Sequence, residues 1–125
     1  MSFLYSETTE YSGGSPTHDE LFAMANLFPK QTGLPFVVWI SAKAMARHDV
    51  RVKISPRPKA VGEWISVAIR PTIRIVEGGQ IKGQDFALLK HWITLNYEVI
   101  LDYWNKEIDT MEAMAQIRSI TGESR

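Results

Sequence analysis

Cysteine is absent from the 125 residues, which removes disulfides, thiolate chemistry and every zinc site that needs sulfur. The absence fits a reducing cytoplasm, the expected location. Net charge is absent too: 14 Lys and Arg balance 14 Asp and Glu. The molecule as a whole therefore has no bulk attraction for nucleic acid or membrane, and any such attraction must come from a local patch. Long apolar runs are missing. The longest, Phe36 to Ile40 with Leu34 and Pro35 before it, is far short of the ~20 residues that span a bilayer. Residues Met1 to Glu10 lack the basic and apolar regions of a signal peptide. Neither an internal repeat nor a low-complexity segment occurs.

Cofactor and nucleophile motifs are equally scarce. Gly78, Gly79 and Gly83 flank a helix start where an anion could sit, yet their spacing is neither that of a P-loop nor that of a dinucleotide fingerprint, and a turn explains them better. Ser41, Ser55 and Ser66 lack a G-x-S-x-G context. No cofactor, metal site or catalytic residue is expected on these grounds.

What is present is enough apolar material, 45%, for one core in a chain of common domain size. The polar stretch from Met1 to Pro16 reads as a flexible arm, although its Phe3, Leu4, Tyr5 and Tyr11 would suit docking onto a partner. A single domain is expected over residues 17–120, with a frayed end over 121–125. Thr17 followed by Glu20 has capping-box spacing and opens a short helix from Asp19 to about Leu27, stopped by Pro29. Pro35 to Ser41 reads as a buried strand. Val50, Val52 and Ile54 alternate with Arg51, Lys53 and Ser55, the pattern of a strand with one wet face. Ile65, Val67 and Ile69 alternate with Trp64, Ser66, Ala68 and Arg70, and after Pro71 the alternation resumes at Ile73 and Ile75. One bent strand or two would satisfy that stretch.

The strongest periodicity lies between Asp85 and Ile108. At about 100° per residue, Phe86, Leu89, Ile93, Tyr97, Ile100, Trp104 and Ile108 share one stripe, while Leu88, Trp92, Leu95, Val99 and Tyr103 form a second. His91, Thr94, Glu98, Asp102 and Asn105 leave only a narrow polar wedge. A sheet buries a stripe of roughly 100°, so the second needs another cover: the Asp19 helix, a C-terminal helix or another subunit. Asp109 followed by Glu112 predicts a capped final helix with Met111, Met114, Ala115 and Ile117 on its apolar side.

Eight basic residues (Lys43, Arg47, Arg51, Lys53, Arg57, Lys59, Arg70, Arg74) fall between positions 43 and 74, against Asp49 and Glu63 alone. Arg51, Lys53, Arg70 and Arg74 are in register opposite the core-facing residues and should share an exposed sheet face with Trp64. A basic sheet carrying an aromatic suits single-stranded nucleic acid or an acidic protein surface. The same alternation also merely keeps a sheet soluble and blunts its edges. Six acids gather from Asp85 to Glu112 against Lys90 and Lys106; unlike surfaces could meet in self-association, or both be simply solvated. His48-Asp49 point to opposite faces of a strand, His18-Asp19-Glu20 are explained by cap duty, and His91 has Leu95 rather than a ligand at i+4, so the histidines read as structural or exposed.

The run Trp92-Ile93-Thr94-Leu95-Asn96-Tyr97-Glu98-Val99-Ile100-Leu101-Asp102-Tyr103-Trp104 resembles the terminal helix of an uncharacterised family of very small bacterial proteins, of the form W-I-x-L-x-x-E-x-x-L-x-x-W. Trp92, Ile93, Leu95, Glu98, Leu101 and Trp104 match it. Asp49-Val50-Arg51-Val52 stands where that family has an H-V-H-V strand, and Gly62-Glu63 where it has a Gly-Glu hairpin. The resemblance covers roughly Ala46 to Glu107. The family's Pro-Pro and strand histidines are not retained, so any role of those histidines would be lost here. The resemblance implies a small sheet plus helix, a paired arrangement such as a toxin–antitoxin system, and no established activity.

These readings converge on an α+β protein in which a small antiparallel sheet of three or four strands packs on one long amphipathic helix, with short helices near both ends. The expected function is non-enzymatic binding, with self-association through Leu88, Trp92, Leu95, Val99 and Tyr103. The alternative is a nucleic-acid-binding or regulatory protein that uses Arg51, Lys53, Trp64, Arg70 and Arg74. Expected partners are a second copy, another protein or nucleic acid, not a membrane.

Overall fold

A computed structural model describes residues 24–43, 47–55 and 64–121. The expected arm, the Thr17–Glu20 cap, the His18–Glu20 cluster, Arg57, Lys59, the Gly62–Glu63 turn and the last four residues lie outside the described residues.

Five strands run in chain order across one antiparallel sheet: β1 (Met24–Leu27), β2 (Val37–Ser41), β3 (Arg51–Ser55), β4 (Ile65–Ala68) and β5 (Arg74–Glu77). The expectation of three or four strands is corrected by β1. Its Met24 and Leu27 fit a helical cluster by spacing, but Ala25 and Leu27 point inward and pair with Ile40 and Val38. Pairing with an adjacent buried strand overrides a short local preference. Pro29 consequently begins a helix instead of ending one. It occupies the first position of α1 (Pro29–Thr32), where its missing N–H costs nothing, and Gln31 Oε1 accepts from the Phe28 N–H at 2.8 Å.

The stretch after Trp64 forms two strands. The chain turns between β4 and β5 through a cis Arg70–Pro71 peptide, and Val76 is bulged out of the pairing between Ser66–Glu77 and Val67–Ile75. Gly78 follows at φ 95° with its backbone pressed against β4. A Cβ there would collide with the Trp64 carbonyl oxygen and sit 2.8 Å from Ile65 Cα, so both the turn and the close approach require glycine.

The inner sheet face, with Ala25, Leu27, Val38, Ile40, Val52, Ile54, Ile65 and Val67, joins one core with Leu89, Trp92, Ile93, Ile100, Tyr103, Trp104, Ala113 and Ile117. These helical residues come from α2 (Gly83–Leu95), α3 (Tyr97–Trp104), α4 (Thr110–Gln116) and the chain after it. The single long helix is replaced by α2 and α3, which meet at Asn96 (φ −109°, ψ 19°). Asn96 is buried, and its Nδ2 donates both to the Trp92 carbonyl one turn back and to the Arg118 carbonyl, each at 3.0 Å. Its Oδ1 accepts from the Arg118 N–H at 2.7 Å. The Trp92 carbonyl thus accepts from both the Asn96 backbone N–H and its Nδ2. Ile120 N–H then donates to the Thr32 carbonyl at 2.9 Å, so residues 117–121 form a strap from the helix junction to α1. Gly33 leaves room for it: a Cβ there would lie 2.9 Å from Ile120 Cγ1 and Ser119 Oγ.

The strap and α4 supply much of the cover that the second apolar stripe demanded. The Tyr103 hydroxyl bonds Thr110 Oγ1 at 2.7 Å, and α4 packs on both α3 and β1. Trp92 and Tyr103, expected in a surface between subunits, are therefore 0% and 2% exposed within the chain. Leu88 and Leu95 stay exposed, and Val99 is half-buried. The Asp109–Glu112 capping box forms in both directions at 2.8 Å. At the end of α3, Lys106 adopts φ 62°, its N–H donates to the Tyr103 carbonyl, and the Glu107 N–H reaches the Asp102 carbonyl, the Schellman arrangement.

Asn96→Leu removes the partner of both polar groups of the Arg118 peptide while preserving bulk. A loss of about 1–3 kcal/mol is expected, since two bonds in a part-buried site are lost at a net value of about 0.5–1.5 kcal/mol each. Urea unfolding checks it, and an unchanged midpoint would refute the anchoring role.

Candidate functional site

The outer sheet face is built by register. One row crosses all five strands: Asn26, Trp39, Lys53, Ser66 and Glu77. A neighbouring row places Arg51, Ala68 and Arg74 side by side. Ser66 and Ala68, small and flanked by long side chains on this face, are buried at 4% and 7%.

Trp39 and Trp64 meet above β3 with ring centroids 4.2 Å apart and planes tilted by 53°. Lys53 Nζ lies 6.0 Å from the Trp64 ring centroid, at the limit for attraction between an ammonium and a π face. Next to this pair, at an outermost strand of the described sheet, a cleft of about 440 Å³ is lined by Met24, Ala25, Asn26, Trp39, Trp64, Thr110 and Met114. Thr110 and Met114 come from α4, so the cleft runs from the outer face around β1 to the helical layer. Its walls are mainly apolar, with Asn26 and Thr110 as polar groups.

Of the five residues expected on a basic face, Arg51, Lys53, Trp64 and Arg74 share the outer surface. Arg51 Nη1 is 3.5 Å from Glu77 Oε1, a loose contact because Glu77 is 71% exposed. Arg74 Nη1 donates to the Thr72 carbonyl at 3.2 Å. Arg70 departs from the group. Lying past the end of β4, it clasps Asp49 through Nε and Nη2 at 2.7 and 2.9 Å. That bidentate bond, helped by the Val50 N–H and the charges of Arg70 and Lys43 against a small desolvation penalty, lowers Asp49 from its ordinary 3.8 to about 2. The carboxylate in turn raises Arg70.

His48 stacks over Trp104, with centroids 6.2 Å apart, and its Nδ1 contacts the Asp49 carbonyl at 2.7 Å. His91 is exposed on α2. Among the described residues no three His, Asp or Glu side chains gather as a metal site, and no helix is long and apolar enough to cross a membrane.

Trp39, Met24, Asn26, Thr110 and Met114 were not anticipated at a site. Period two alone places Trp39 opposite Val38 and Ile40, but the continuous apolar run around it looks buried on both faces. Met24 and Asn26 were hidden by the helical reading of β1, and the packing of α4 on β1 is a contact between segments distant in the chain. The chain matches no family model, no curated protein and no solved structure.

The Asp49–Arg70 pair makes stability depend on acid. Because the folded carboxylate titrates at about 2 and the unfolded one near 4, its contribution is complete above about pH 4 and disappears as pH falls through about 2. Both side chains are substantially exposed, so the gain is under about 1 kcal/mol. The stability difference between wild type and Asp49→Asn should be constant from about pH 7 to 5, shrink as pH falls from about 4 and vanish only below about pH 2; a difference that stays constant down to about pH 2 contradicts this assignment.

Proposed function

We propose that this protein is a non-catalytic binding protein whose working surface is the outer sheet face around Trp39, Trp64 and the adjoining cleft. The cleft supports this reading: its volume of about 440 Å³ falls in the range of small-ligand sites, and a largely apolar lining with a few polar groups is their usual composition. The two indoles and Met114 offer contact to a planar or apolar group, Asn26 and Thr110 can orient it, and Lys53 stands by for an attached anion.

The probe for this reading is 1-anilinonaphthalene-8-sulfonate, an aromatic anion. It should bind the folded protein with increased emission and quench tryptophan fluorescence. Met114→Glu, which places a carboxylate at the mouth of the cleft, should weaken it at least about tenfold, the equivalent of 1.4 kcal/mol. Equal binding by wild type and Met114→Glu would eliminate the cleft as the site.

Self-association is a second reading, supported by the exposure of Leu88 and Leu95 at 38% and 39% with half-buried Val99 one turn beyond. It uses a smaller patch than the five-residue stripe. Size-exclusion chromatography with light scattering should show a dimer at tens of micromolar that Leu88→Glu with Leu95→Glu converts to monomer. A wild-type monomer under those conditions excludes it.

A further inference from the structure

We infer that the partner of the outer face is a single-stranded nucleic acid, with a base stacked at the Trp39–Trp64 cleft and its phosphates running past Lys53 and Arg51 toward Arg74. The inference rests on the binding reading above and gives its ligand a chemical class.

Register carries the argument. Lys53 and Arg51 are two residues apart on β3, hence about 7 Å along the strand on the same face. Arg74 lies two strands from Arg51 in the Arg51–Ala68–Arg74 row, about 10 Å across the sheet. The three cations thus make a track that starts beside the aromatic pair and leads away from the cleft. Glu77 is the only acid on these rows. Its contact with Arg51 is long, at 3.5 Å, and Glu77 itself is 71% exposed against 26% for Arg51, so a phosphate arriving from the Glu77 side competes with a weakly held carboxylate. Arg74 holds only a local carbonyl, leaving other donors for a second anion.

Aromatic faces followed by cations are the two parts that sequence-tolerant single-strand binders combine. Unstacked bases reach a tilted indole pair recessed beside a strand, whereas the bases of a duplex are already stacked on one another. An acidic peptide would satisfy the cations but has no comparable need for two adjoining indoles. The neutral net charge of the chain matters little here, because counterion release depends on the few cations that touch phosphate.

The test titrates full-length protein with an oligothymidylate of about 12 nucleotides, following tryptophan quenching over a range of salt. Three phosphate contacts predict a slope of about −2 in log affinity against log salt, or an approximately 20-fold loss between about 50 and about 200 mM. Lys53→Gln and Arg74→Gln should each reduce the slope by about 0.7; Arg74 is exposed, so its variant keeps the fold. No binding at low salt, an affinity independent of salt, equal affinity for duplex, or unchanged slopes in both variants would overturn the inference. So would stronger binding of a polyglutamate peptide with the same quenching. If the naphthalene sulfonate still binds in a manner sensitive to Met114→Glu, only the ligand class is lost; if it fails as well, the cleft reading falls with it.

Discussion

Asn96 uses one buried amide to hold another part of the chain in place, and much of the tertiary arrangement follows from that recognition. Both polar groups of the Arg118 peptide are met by its side chain, while its own backbone continues the helical ladder to Trp92 and Ile100. A hydrocarbon at this position would take away the partners of the Arg118 N–H and carbonyl in a part-buried site and lose the net value of each bond. Once residue 118 is placed, Ile120 reaches Thr32, and α4, directly upstream, lies against α3 and β1. The strap therefore decides how the second apolar stripe is covered. α4, bonded to α3 through Tyr103 and Thr110, places Thr110 and Met114 at the sheet edge, where they become one wall of the cleft.

The charges divide by position. At the sheet end, Asp49 and Arg70 neutralise each other through a bidentate bond. On the open face, the register leaves Lys53 beside Trp64, Arg51 in loose contact with Glu77, and Arg74 on a local carbonyl. Among the described residues, the basic excess of the sequence thus divides into one guanidinium clasped by a carboxylate, Arg70, and two with looser contacts, Arg51 and Arg74. The distinction matters because a guanidinium already clasped in bidentate fashion by a carboxylate has little to offer a phosphate.

Regular local patterns were legible in the sequence. The alternation around Val52 and Ile54 corresponds to β3, that around Ile65 and Val67 to β4, and the Asp109–Glu112 spacing to a real capping box. Leu89, Ile93, Ile100 and Trp104 are buried as their common stripe implied. Misreadings arose where a local pattern had two solutions. Four residues, Met24 to Leu27, are too short to separate helix from strand, and their pairing with β2 decided the outcome. A periodic apolar run through Asn96 looks uninterrupted because Asn is tolerated in a helix, and nothing nearby reveals that its amide will find Arg118, 22 residues away. Trp39 was obscured because a continuous apolar strand does not disclose which face remains open.

Sequence by itself determined the α+β class, three of the five strands, the main helical core stripe and the cap of α4, because side-chain periodicity and capping act within a few residues. Tertiary structure alone decided that β1 is a strand, that the helix divides at Asn96, that Trp92 and Tyr103 are core residues, and that Trp39 and Trp64 meet beside a cleft. Each of those outcomes depends on hydrogen bonds or packing between segments distant in the chain, whose free energy no local pattern contains.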